Sequence, residues 1–251
     1  LRALAVVAVL VNHAQSEWLP GGFLGVDAFF VLSGYVVARS WKTRENEGTG
    51  GFYRRRLRRL QPALLVMVLA SVVLAWHAGL LSIANASTAL TSLIGLSNIN
   101  LLSQSLNYFG TAASQNPFTH TWSLGVEEQF YLLFPLLINK PKLVLALTPA
   151  ALGIWLTLQI HQQEAAFYLM PARFWELGVG IIICQYQKKL PSTPFLSWIG
   201  LILLATALFM PLNWQITSTP MAVAGSAALV ISLEKTCKLK TIFSWIYIYM
   251  I

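Results

Sequence analysis

Charge is what this chain has least of. Of its 251 residues only 10% are Asp, Glu, Lys or Arg, while 56% are hydrophobic; a soluble domain carries roughly 25% charged residues. That shortage excludes an ordinary soluble domain and points to a polytopic membrane protein. Cysteine is equally scarce. Cys184 and Cys237 are too few for a disulfide framework and read as inert thiols. The sequence has no GxGxxG or Walker loop and no GxSxG nucleophile elbow. Its four histidines, His13, His77, His120 and His161, lack zinc-ligand spacing, so no metal is expected. Acidic residues number nine against 17 basic ones. The net charge of +8 could suggest a nucleic-acid partner, but the cations cluster between apolar segments, as the positive-inside rule requires. The expected partner is therefore a lipid bilayer and not nucleic acid.

The long apolar runs give the expected architecture, an all-α transmembrane bundle forming one domain over residues 1–251. A span needs about 20 apolar residues. Complete spans are expected at Ala3–Leu19, Phe23–Ser40, Pro62–Ala78, Trp122–Ile138, Leu143–Ile160, Arg173–Tyr186, Phe195–Leu212 and Met221–Leu233, with a partial one from Ile242. Arg2, the stretch Arg39–Arg59, Lys140/Lys142, Lys188/Lys189 and Lys235/Lys238/Lys240 then fall on the cytoplasmic side. The segment Ala84–Leu102 breaks the alternation. It is mildly apolar and rich in Ser, Thr and Asn, and reads as re-entrant or interfacial. The chain starts at Leu1, not Met, and stops in the run FSWIYIYMI, so it reads as incomplete at both ends. Gly178 and Gly180 are expected to let helices approach closely.

Ionisable groups inside apolar spans are costly and are functional candidates by default. Arg2 and His13 are eleven residues apart. They return to nearly one helix face, about 16 Å apart along the axis. His13 suits general-base work, against the alternative of a buried structural histidine. Asp27, near the outer end of the second span, is expected at a similar depth to His13, where it could orient the imidazole; the alternative is a structural pair or a helix-start charge. Ser123, Glu127 and Tyr131 recur every four residues and share a face. Of the adjacent carboxylates Glu127 and Glu128, Glu127 is expected to point inward. Arg173 and Glu176 are three apart and can pair. Residues 54–59 hold five arginines in six positions, including Arg55, Arg56 and Arg59. Arginine suits bidentate phosphate binding, so a nucleotide or coenzyme A ester fits, as do anionic lipid headgroups.

Together these stretches resemble the acyltransferase 3 family of integral-membrane acyltransferases. The family's arginine, ten residues, histidine pattern matches Arg2 and His13. Its GVDxFFxxSG signature matches Gly25–Gly34, and its RxxRxxP stretch matches Arg56, Arg59 and Pro62. His120–Pro135 matches HTWSLxVExQFYLxxP, and Arg173, Glu176 and Gly178 match the RxWE element with its following glycine. The resemblance implies a bundle of about ten helices in the cell inner (plasma) membrane. It implies an acyl-CoA donor, usually acetyl-CoA, and a carbohydrate acceptor such as lipopolysaccharide, exopolysaccharide or peptidoglycan. His13 would be the base, supported by Asp27 and Glu127. Arg2, Arg55, Arg56 and Arg59 would serve the donor, and His120, Trp122, Ser123, Tyr131, Arg173 and Glu176 the substrate. Where the family continues with a segment like GKISYSLYLWHWP, this chain has FSWIYIYMI. Two other readings stay open: a transporter using the same intramembrane charges, and an inactive truncated relic of the family.

Overall fold

A computed structural model describes residues 1–106, 116–191 and 193–236. Cys237, Lys238, Lys240 and the partial span expected from Ile242 lie outside the described residues. Eleven α-helices occur in the described chain: α1 (Arg2–Ala14), α2 (Gly25–Thr43), α3 (Gly48–His77), α4 (Ile83–Leu93), α5 (Ser97–Ser105), α6 (Trp122–Leu137), α7 (Pro141–His161), α8 (Gln163–Tyr168), α9 (Met170–Tyr186), α10 (Pro194–Phe209) and α11 (Gln215–Thr236). Among the described residues no strand occurs. The chain is thus an all-α membrane bundle, and five of its helical segments are long and apolar enough to cross a bilayer. α1, α6 and α10 are shorter than the spans expected for them, at 13, 16 and 16 residues. α1 stops at Ala14 because Gln15 takes an extended conformation, and Asn12 caps the turn that follows by donating to the carbonyls of Leu19 and Pro20 at 2.9 and 3.2 Å.

The helices form two compact units. The first comprises Leu1–Tyr35 with the described residues from Ile182 on. It packs on small residues. A side chain on Gly22 would collide with the Ala8 carbonyl, and one on Gly25 with the Ala5 carbonyl. Ala5 and Ala8 are the buried residues of α1. Without a hydrophobic force between helices in lipid, such close backbone approach is what drives their association. The same device joins α10 to α11, where Gly200 and Gly225 face each other's backbones. Leu24, Ala207 and Ala222 complete this core, and the Gly21 N–H donates to the Leu208 carbonyl at 2.9 Å.

The second unit is Val36–Ile181. The thirty-residue α3 contains Pro62, which removes one intrahelical hydrogen bond between its arginine-rich first half and its apolar second half. The segment expected to be re-entrant is two short helices, α4 and α5, broken at Gly95 with φ +71°. With 11 and 9 residues, neither crosses about 30 Å of hydrocarbon. Its polar residues pair with one another. Thr88 donates to Asn100 at 2.9 Å, Gln104 donates to Asn100 at 2.5 Å, and Asn116 donates to Thr88 at 2.7 Å. Ser82 caps α4 by accepting the Asn85 N–H at 3.1 Å. Gly178, as expected, lets α9 approach α7: a Cβ there would strike Thr148.

Candidate functional site

In the first unit, Arg2 donates to the Ser33 hydroxyl at 3.4 Å and lies 5.2 Å above the Phe29 ring. The glycine contacts fix the register of α1 against the start of α2: Ala5 sits level with Gly25, and Ala8 level with Gly22. The two segments run antiparallel. Asp27 therefore lies beyond Gly25 toward the Arg2 end, whereas His13 lies eight residues from Ala5 the other way. His13 and Asp27 thus lie on opposite sides of the Gly25 contact along the axis. Asp27 is buried in the first turn of α2, at 2% exposure, while His13 is exposed at the end of α1.

In the second unit, the arginines of the run differ in their surroundings. Arg55 forms an ion pair with Glu47, and Arg59 is exposed. Arg56 is half-buried, with its guanidinium 4.9 Å from the Tyr131 ring and 5.6 Å from the Phe52 ring. Phe52 is itself fixed by Phe134 at 5.4 Å and Trp41 at 5.6 Å. The Tyr131 hydroxyl donates to Glu127 Oε2 at 2.9 Å, so the four-residue spacing seen in sequence becomes a contact. Glu127 is buried, as expected of the inward-facing carboxylate. Its other oxygen, Oε1, is buried with no hydrogen-bond partner among the described residues.

Arg173 and Glu176 pair at 2.8 Å in full burial. Arg173 also donates from Nε to the Phe167 carbonyl at 3.1 Å, and its guanidinium is 5.6 Å from the Trp122 ring and 5.3 Å from the Phe167 ring. The residues expected to bind substrate thus divide. Trp122, Arg173 and Glu176 form one cluster, and Tyr131 belongs with Arg56 and Glu127. His120 is exposed and Ser123 half-buried at the start of α6, where the Ser123 hydroxyl donates to the His120 carbonyl at 3.5 Å. Among the described residues no three His, Cys, Asp or Glu side chains gather as a metal site.

Sequence reasoning missed a cavity of about 280 Å³ in this unit, lined by α3, the α4–α5 turn and α6. Arg56, Gln61, Glu128 and Gln129 supply its polar lining, and leucines most of the rest. A signal was present: Tyr53, Leu57, Leu60 and Gln61 recur at three- and four-residue spacing, one stripe of α3 partly hidden behind the arginine count.

Over residues 1–251 the chain matches the family described as Acyltransferase domain. It is 41% identical over 146 residues to O-acetyltransferase OatA of Staphylococcus aureus, which covers 55% of this chain and 24% of that protein. It is 35% identical over 175 residues to peptidoglycan O-acetyltransferase OatA of Listeria monocytogenes, covering 63% and 28%. It is also 35% identical over 253 residues to the membrane-bound transacylase BcsY of Komagataeibacter xylinus, covering 94% and 64%. The chain therefore matches about a quarter of the length of the two O-acetyltransferases. No solved structure matches it.

Proposed function

The chain belongs to the acyltransferase domain family, and from that premise we propose that it transfers an acetyl group from acetyl-CoA to a hydroxyl of an envelope carbohydrate. The name of the Listeria relative favours peptidoglycan among the acceptors, and a cytoplasmic donor would place the chain in the bacterial inner (plasma) membrane. The observation that carries the donor assignment is Arg56 held over the rings of Tyr131 and Phe52. Ring stacking uses the faces of a guanidinium, while phosphate recognition uses its edge. A cation so placed is pre-oriented for a bidentate phosphate contact. Arg59 adds positive charge on the same helix, Arg55 is paired with Glu47, and Arg2 belongs to the other unit.

His13 is the general base. It takes the proton of the acceptor hydroxyl as that oxygen attacks the thioester carbonyl, and the tetrahedral adduct collapses with loss of the coenzyme A thiolate. An exposed imidazole suits this role better than a sealed one, because the acceptor is large and must reach it. Glu127 and Asp27 are buried carboxylates, one in each unit, and each acts within its own unit, Glu127 through the Tyr131 hydroxyl and Asp27 in the first turn of α2. Arg173, Glu176 and Trp122 are too buried to touch the acceptor and brace the start of α6, beside which His120 and Ser123 reach the surface.

The experiment is transfer by the full-length protein in lipid nanodiscs, with labelled acetyl-CoA and a muropeptide acceptor, followed by mass spectrometry. Acetyl esters should form on the acceptor and disappear in His13→Ala at equal protein level. Retained transfer by that variant would remove His13 as base, and no transfer from acetyl-CoA by the wild type would remove the donor.

A further inference from the structure

The cavity of about 280 Å³ between α3, the α4–α5 turn and α6 holds polar groups that the reaction as written leaves unused. Gln129 is committed to structure: its amide donates to the Gly95 carbonyl at 2.9 Å and to Asn98 at 2.7 Å. Tyr53 is committed as well, donating to the Leu132 carbonyl at 2.9 Å. Glu128 and Gln61 remain, joined by one long hydrogen bond of 3.4 Å. The Glu128 carboxylate occupies the space a side chain would need at Gly95, the left-handed residue that breaks α4 from α5. Arg56 stands in the same lining.

We infer that this cavity receives the pantetheine arm of the acyl donor, with Arg56 meeting the phosphate end and Glu128 and Gln61 meeting the arm's amide groups. The inference rests on acyl-CoA being the donor. Size supports it: ligand sites span about 300–1,000 Å³, and a cavity at the lower bound fits a slender chain and not a whole nucleotide. Polarity supports it too. A carboxylate and a carboxamide amid leucines match a chain that alternates methylenes with amide N–H and C=O groups. A phospholipid tail also offers a phosphate followed by hydrocarbon, but it would set methylenes against the half-buried Glu128 carboxylate, whose one donor here is the distant Gln61 amide, and supply no further hydrogen bond.

The test uses the full-length protein in nanodiscs and displacement of labelled acetyl-CoA by three probes: coenzyme A, pantetheine, and adenosine 3′,5′-bisphosphate. Glu128→Leu should weaken coenzyme A and pantetheine by about tenfold, the value of one hydrogen bond to a charged group, and leave adenosine bisphosphate unchanged. Leu57→Trp, at an exposed lining position, should give the same pattern by filling the cavity, so the test survives poor folding of the first variant. Arg56→Ala should weaken coenzyme A and adenosine bisphosphate and spare pantetheine. The inference is overturned if coenzyme A binds to the wild type but neither cavity variant separates pantetheine from adenosine bisphosphate. If coenzyme A does not bind to the wild type at all, the donor assignment falls instead, and a phospholipid recovered with the protein would name the occupant.

Discussion

Tyr131 donates its hydroxyl hydrogen to Glu127 at 2.9 Å, one helical turn back, while its ring carries the Arg56 guanidinium at 4.9 Å. One side chain thus stands between a buried anion and a half-buried cation. The two contacts use different parts of it, so substitution can separate them. Tyr131→Phe keeps the ring and leaves Glu127 without its donor. It should lower stability by about 1–3 kcal/mol, with little change in KM for acetyl-CoA. Tyr131→Leu removes the ring as well and should raise that KM. Thermal unfolding in detergent and donor kinetics measured together check both; equal KM effects would show that the ring does not position Arg56.

Arg173 and Glu176 are each almost wholly buried, so removing one partner strands the other. Arg173→Ala should cost about 3–5 kcal/mol. Arg173→Lys keeps the charge and loses the Nε–H bond to the Phe167 carbonyl, and should lie between that variant and the wild type. The thermal midpoints of the three proteins give the order, and a lysine variant as stable as wild type would contradict it.

Gly25 lies against the Ala5 carbonyl with no room for a methyl group. Gly25→Ala should push α1 away and cost about 1–3 kcal/mol. Because α1 carries Arg2 and His13, transfer should fall by more than stability alone explains. Activity per folded molecule, taken from the monodisperse fraction, checks this.

Gly95 has φ +71°, and a Cβ there would also meet Glu128. Gly95→Ala should cost about 1–2 kcal/mol from the left-handed backbone alone. Glu128→Ala in the same chain should recover the steric part and not the conformational part. A double-mutant cycle by denaturation measures the difference, and strict additivity would mean the two residues do not interfere.

The helical membrane architecture was legible because apolar run length dictates spanning helices, and the odd segment at residues 84–102 was legible because its serines, threonines and asparagines have no place against lipid. What could not be read was the partner of each polar group. Thr88, Asn100, Gln104 and Asn116 satisfy one another across a helix break, which only the folded chain reveals. The buried placing of Glu127 followed from its spacing to Tyr131. The close approach of α1 to the start of α2 could not be read either, because it rests on Gly22 and Gly25 meeting the Ala8 and Ala5 carbonyls. The sequence assigns the inward position to Glu127 and no place to Glu128, which lines a cavity closed by a turn some thirty residues earlier in the sequence. Alternation around a helix says that two neighbours diverge, and not that one of them faces nothing.

Pro62 has a consequence for how α3 carries load. With the amide hydrogen missing, the Arg58 carbonyl has no intrahelical donor, and the rod is softest between those two positions. The cationic half is pinned through Phe52 and Tyr53, so the freedom at this joint falls to the lipid-facing half. A charged ligand drawn to Arg56 therefore meets a fixed site, and the bend is taken up beyond it. Pro62→Ala should stiffen the joint, giving a more stable protein.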